Sequence, residues 1–284
     1  EVSALLSPSR RRVLRDAPNG RFFSSGPSAA TRPQITFDAL EDEAFLRTLE
    51  EQLQQHVDEL ENCDLVLGAK QINYLAFRLH EALEPKRDPE TNVIQAWTIQ
   101  PQAQLKIKMS SHIQVLKLST ILREVRRLRI HQQSLLRSPI EMDIFPSLRA
   151  IEIVHTEIAV LGNVHFFANQ LRQFRLEHTP LESLTQILSP TAATGAPLAV
   201  WKKLESLRIN CCSLPAVDAC LNQLQVVKVV DLAWNEIASF ESPATMASLQ
   251  WLDLCHNKLT AFPPLTRLSN LKVLDLSVNQ IQSL

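Results

Sequence analysis

Five cysteines, eight histidines and thirty carboxylates are the side chains in this chain with chemistry to offer. Their spacing decides what kind. Cys211, Cys212 and Cys220 lie close together, but a zinc site built on thiolates needs paired Cys-x-x-Cys spacing, and none occurs here. They read as structural thiols. His155 and His178 each precede a threonine and stand 23 residues apart, which marks equivalent positions at the rim of a repeat rather than a catalytic pair. Five scattered glycines cannot build a phosphate loop, and neither GxSxG nor HExxH is present. The expectation is a non-enzymatic chain with no cofactor, metal or small-molecule substrate.

What repeats instead is a structural pattern. Leu249-Gln-Trp-Leu-Asp-Leu-Cys-His-Asn257-Lys-Leu259 recurs as Leu271-Lys-Val-Leu-Asp-Leu-Ser-Val-Asn279-Gln-Ile281, and earlier as Val227-Lys-Val-Val-Asp-Leu-Ala-Trp-Asn235-Glu-Ile237. With substitutions the template also fits Leu204 to Leu214, Leu171 to Leu181 and Leu148 to Ile158, and more weakly Val125 to Leu135. Ladder residues at 133, 156, 179, 212, 235, 257 and 279 give spacings of 23, 23, 33, 23, 22 and 22. This is the leucine-rich-repeat signature, and it predicts an α/β solenoid of about seven units. The leucines of adjacent coils stack into one core. Asn, Thr or Cys at each turn bonds backbone groups that the bend leaves without partners. The wider spacing falls at Ser189 to Pro197, whose small residues and prolines predict a protruding loop.

The elements that precede the repeats divide into two. Residues 1–37 carry six basic against two acidic residues, a net of +4, in a composition that buries too little to order itself. They read as a disordered basic tail, a reading preferred over a mitochondrial presequence of the same character. Residues 38–112 carry a net of −7 and read as a helical N-terminal cap. Asp38 and Glu41 have the spacing of a capping box, and Phe45, Leu46, Leu49, Leu53, Val57 and Leu60 follow at helical intervals. A second helix is predicted from about Asp64 to Leu83, ended by Glu84 to Pro89, and Leu105 to Met109 alternates like a strand. The run of carboxylates from Glu41 to Glu61 reads as the wet side of the first helix. Residues 113–284 are then the repeat domain, with a net of +2.

Sparse, odd-numbered cysteine points to a reducing, cytoplasmic compartment. No apolar run reaches the roughly 18 residues that a membrane span requires, and an overall net charge of −1 argues against nucleic acid as the main partner. A chain that opens with Glu1 and stops inside a repeat is expected to be a fragment at both ends.

The period of 22 to 23, with short hydrophobic linkers such as Leu265-Thr-Arg-Leu268-Ser-Asn-Leu271, resembles the SDS-type class of intracellular leucine-rich repeats. Three further features point the same way: Ile113 to Leu118, Phe145 to Ile153, and the long break before Trp201 and the Asp231 to Ile237 unit. That layout, over roughly residues 60 to 284, is similar to the N-terminal region of cytoplasmic scaffolds associated with a serine/threonine kinase. The resemblance implies kinase binding and assigns no individual binding residue.

A partner would meet the residues that flank the core leucines. One row reads Arg129, Glu152, Arg175, Arg208, Asp231, Asp253, Asp275, and a flanking row ends in Val229, Trp251, Val273. Expected is a protein-binding concave face on Arg175, Arg208, Val229, Asp231, Trp251, Asp253, Val273 and Asp275, with Trp251 exposed at its centre and ringed by charge. The partner would be a signalling protein such as a serine/threonine kinase or a phosphatase. Two other readings are an RNA-associated repeat protein, motivated by Arg127, Arg129, Arg175 and Arg208, and a regulatory region of an enzyme beyond Leu284.

Overall fold

A computed structural model describes residues 34–36, 43–87, 89, 94–99, 109–131, 138–161, 164–188, 201–241 and 243–282. The described residues belong to the compact unit Gln34–Leu284, and residues 1–33 lie outside them. So do the capping box at Asp38 and Glu41, the strand expected at Leu105, Gln133 and Leu135 of the weakest repeat, and the loop at Ser189 to Pro197.

Among the described residues the main sheet has nine strands, each paired parallel to its neighbours. In chain order they are β1 (Gln34–Thr36), β2 (Asp64–Gly68), β5 (Arg127–His131), β6 (Ala150–Val154), β7 (Gln173–Glu177), β8 (Ser206–Asn210), β10 (Val229–Asp231), β12 (Trp251–Asp253) and β13 (Val273–Asp275). Between β2 and β5 lie an antiparallel hairpin, β3 (Leu83–Arg87) with β4 (Ile94–Ile99), and helices α2 (Ala69–Ala82) and α3 (Met109–Ile121); α1 (Glu43–Gln55) precedes β2. Two short strands, β9 (Ala216–Val217) and β11 (Ser239–Phe240), pair on the return side of the coil.

Seven of the nine strands are those predicted by the repeats, and their register is the predicted stacking. Leu128, Ile151, Phe174, Leu207, Val230, Leu252 and Leu274 stand opposite one another from strand to strand. All but Leu274 are buried; it is half-buried because β13 is the edge strand.

Two expectations about the first third are corrected. Asp64–Gly68 is a strand and not the first turn of a helix, so the second helix begins only at Ala69. Leu65 and Leu67 alternate inward and pair beside Leu128 and Ile130, which gives these residues a parallel partner that a helix would deny them. Gln34–Thr36, counted with the basic tail, pairs with Asp64–Val66 at the other edge. The cap is therefore mixed: it adds two strands to the repeat sheet and packs three helices beside them. Ile113–Leu118, which opened the expected repeat domain, lies within α3.

The first helix ends at Gln55, before the apolar stripe does. Phe45, Leu46, Leu49 and Leu53 are buried, whereas Val57 falls in a short 3-10 turn and is exposed. Pro85 sits inside β3, tolerated there because a two-stranded hairpin leaves its outer edge without a ladder to break.

Each coil turns on its ladder residue. Asn235 Oδ1 accepts from the N–H of Cys212 (3.0 Å) and of Leu214 (3.2 Å), while its Nδ2 donates to the carbonyls of Ile209 (2.7 Å), Leu232 (2.9 Å) and Ala233 (3.2 Å). Asn257 and Asn279 repeat this geometry one and two coils later. The upstream substitutes do less. Thr179 accepts from Thr156 N–H (3.3 Å) and donates to Glu177 O (3.2 Å), and the Cys212 thiol donates to Asn210 O at 3.1 Å. Gln133 aside, the residue before each of the other six ladder positions has a left-handed backbone: His155, His178, Cys211, Trp234, His256 and Val278 have φ between 52 and 59°. That conformation costs about 1–2 kcal/mol for a non-glycine residue, and the buried ladder bonds offset it.

Candidate functional site

The predicted surface rows exist as strand register. Arg129, Glu152, Arg175, Arg208, Asp231, Asp253 and Asp275 are mutual partners across β5 to β13. Val229, Trp251 and Val273 form the flanking row on the last three strands.

Their exposure differs from the expectation. Asp231, Asp253 and Asp275 are buried, with Asp253 only 1% exposed. Each carboxylate turns along its own strand to accept the N–H two residues on: Ala233 at 3.2 Å, Cys255 at 2.9 Å and Ser277 at 2.8 Å. Asp231 also accepts from Asn210 Nδ2 at 2.6 Å. Short polar side chains favour such local bonds where a strand gives way to a turn. These three aspartates shape the turn and are removed from the partner-binding set.

Stacking three carboxylates on adjacent strands has an electrostatic cost. Burial, opposed by the Cys255 N–H bond and reinforced by Asp231 and Asp275, pushes the Asp253 carboxyl up to about 6. An unfolded aspartate releases its proton near pH 4, so the folded state binds the extra proton between about 4 and 6. The stability that protonated Asp253 provides is complete below that window and is lost as pH rises through it. Asp253→Asn keeps the acceptor and removes the charge. It should raise the stability at pH 7.5 by roughly 1–3 kcal/mol, and the gain should vanish near pH 4. Urea midpoints of both proteins across that range test this; an equal gain at both ends would sink the titration argument.

The basic end of the row is largely neutralised from within. Arg129 Nε lies 3.4 Å from Glu152, Arg175 Nη1 lies 3.9 Å from the same carboxylate, and Arg175 Nε donates to Glu177 at 2.9 Å. Burial would lower the Arg175 pKa, but Glu177 and Glu152 more than reverse this and hold it above the usual arginine value. Arg208 forms no ion pair among the described residues and is half-buried. Val229, Trp251 and Val273 are likewise half-buried rather than exposed. On this face of the sheet an apolar strip thus runs over the last three strands, with Arg208 on the next strand and Arg175 on the one beyond it.

At the opposite ends of the strands, the left-handed rim carries two ring stacks that the sequence did not announce. His155 and His178 stack at 4.5 Å and 11°, and Trp234 and His256 at 3.6 Å and 10°. Identical backbone positions one coil apart bring such rings face to face. Trp234 packs at the rim on one side and remains 48% exposed.

The thiols are placed for structure. Cys212 is fully buried and burial pushes its thiol up to about 12. Burial also raises Cys220 and Cys255, each helped by a neighbouring aspartate that accepts the thiol proton. Among the described residues, no helix is long and apolar enough to cross a membrane.

Comparison with known proteins finds the repeat at one end of the chain. Residues 247–284 match the family described as Leucine Rich repeats (2 copies). The structure of an internalin from Listeria monocytogenes is similar over 90% of this chain and 82% of its own, at 14% identity and a TM-score of 0.38. No curated protein matches the chain. The repeat match at residues 247–284, the in-register parallel strands and the asparagine ladder together describe a leucine-rich-repeat solenoid fold.

Proposed function

We propose that this chain is a non-catalytic interaction scaffold that binds a signalling protein on the concave sheet, with a serine/threonine kinase as the partner class. Its main support is the strip of Val229, Trp251 and Val273, aligned on three neighbouring strands, half-buried and flanked by Arg208. Aromatic side chains and arginine are the residues that dominate binding energy in protein interfaces, and Trp251 and Arg208 lie on one face of the sheet, two strands apart. The kinase reading rests on the layout of the repeats, which resembles the liver kinase B-interacting protein, and a cytoplasmic location fits that partner.

The experiment is a calorimetric titration of the liver kinase B catalytic domain into the wild-type chain and into Trp251→Ala with Arg208→Ala. Neither side chain is fully buried, so the urea midpoint should stay close to wild type while affinity falls about tenfold or more. Equal affinity in the folded double variant would discard the concave site, and absence of any binding to wild type would discard the kinase.

A further inference from the structure

We propose a second contact surface at the N-terminal ends of β5, β6 and β7: a ladder of Arg126, Arg149 and Arg172 that takes the carboxylates of an acidic peptide segment. The inference deepens the scaffold reading and rests on it, since the surface borders the same sheet.

Arg126, Arg149 and Arg172 each occupy the position just before their strand, and the backbone stacks them: Arg149 N–H donates to Arg126 O at 2.7 Å, and Arg172 N–H to Arg149 O at 2.8 Å. Neighbouring strands lie about 4.8 Å apart, so three guanidinium stems are held side by side. With Arg127, Glu61 and Gln173 they line a cavity of about 180 Å³. That is several times the roughly 30 Å³ a water molecule occupies in the liquid, enough for a carboxylate and its waters.

Such a ladder repels itself unless carboxylates intervene, and the outer members have them. Arg126 Nε is 3.5 Å from Glu61 and its Nη2 is 3.5 Å from Glu124, yet Nε is buried and makes no hydrogen bond in this arrangement. Arg127 pairs with Asp64 at 2.6 Å, and Arg172 with Glu205 at 3.6 Å. Glu205 is shared with Lys228 at 2.8 Å, so Arg172 is only partly compensated. Arg149, in the middle, is exposed and has no carboxylate partner among the described residues. The surface therefore presents one uncompensated guanidinium between two weakly held ones.

The Arg172–Glu205 pair is exposed on both sides, and such pairs contribute little on their own, so a partner's carboxylate can replace Glu205 at small cost. Arginine's planar fork accepts a carboxylate through two parallel bonds. A chain of single charges suits the ladder better than one multiply charged group, because the local excess of positive charge is small. An extended peptide places alternate side chains about 6.6 Å apart on one face, which lets two carboxylates span the three arginines.

The test is fluorescence anisotropy with a labelled oligoglutamate peptide at low salt, with unlabelled oligouridylate and inorganic phosphate as competitors. Binding should fall about tenfold in Arg149→Glu, the loss of one charge-assisted contact. It should persist in Arg149→Lys and in Trp251→Ala, and it should weaken as salt screens it. Because Arg149 is exposed, its variants should retain the wild-type urea midpoint; should Arg149→Glu lose it, Arg149→Gln is the reading variant. Undiminished peptide binding in the folded charge variant overturns the proposal. So does displacement by oligouridylate or phosphate at lower concentration than unlabelled oligoglutamate, which would make the ladder a nucleic-acid or phosphate site. Kinase binding lost with Trp251→Ala but peptide binding unaffected by Arg149→Glu would leave the scaffold reading standing without this one.

Discussion

Replacing Asn235 with alanine should cost the fold about 3–5 kcal/mol, the largest loss expected from a single polar side chain here. The residue is 8% exposed and makes five hydrogen bonds, three of them to the preceding coil. A typical bond contributes about 1 kcal/mol net, but a buried group left without its partner costs about 1–3 kcal/mol. Truncation strands the N–H groups of Cys212 and Leu214 and the carbonyl of Ile209 in the buried interior. In a solenoid much of the stability resides at the contact between neighbouring coils, and this residue lies on one. Urea denaturation followed by circular dichroism should show a lower midpoint with an unchanged slope. Asn235→Thr, which copies the residue found at 156 and 179, should recover part of the loss, since Thr179 makes two ladder bonds of the same kind. A loss under about 1 kcal/mol in the alanine variant would mean that the ladder is decoration.

The second large effect is expected at Trp201. Its ring is fully buried, lies 6.4 Å from the Phe174 ring, and donates through Nε1 to Leu188 O at 3.1 Å. Leu188 ends the short helix Thr185–Leu188, so this bond ties the two flanks of the one long interval between ladder residues. Trp201→Ala should destabilise by about 3–5 kcal/mol through the lost contacts and the cavity left beside Phe174. Trp201→Phe keeps most of the ring contact and loses the Nε1 bond, for a cost nearer 1 kcal/mol. The difference between the two variants, read from urea midpoints, separates packing from the tie. Equal losses would show that the hydrogen bond, not the ring volume, is what the site requires.

These residues show where the sequence was legible. Asn235, Asn257 and Asn279 recur at fixed spacing because each coil solves the same turn, and a local solution repeated leaves a pattern on the page. The strand register follows for the same reason: one leucine set must face one core, and a slip by one residue would turn it to solvent. Trp201 left a weaker trace, as the first large residue after a run of small ones.

The cap was read less well. Asp64-Leu-Val-Leu-Gly lies in a stretch whose leucines also fit a helix, and a short apolar run does not say which. Its pairing with Arg127–His131, some sixty residues later, decided for the strand. The aspartates were misplaced for a related reason. Alternation put Asp231, Asp253 and Asp275 on the face opposite the leucines, but not which way each carboxylate bends. Their bonds to Ala233, Cys255 and Ser277 turn them inward.

Repeat number, strand pitch, ladder positions and the alignment of the surface rows are properties of one short segment copied many times, so the sequence by itself determined them. Which strands complete the sheet, which charges are spent on one another, and where a guanidinium is left over were decided only in the tertiary structure. Those outcomes depend on contacts such as Arg127 with Asp64 and Arg172 with Glu205, between residues that distance along the chain keeps apart and folding brings within 4 Å.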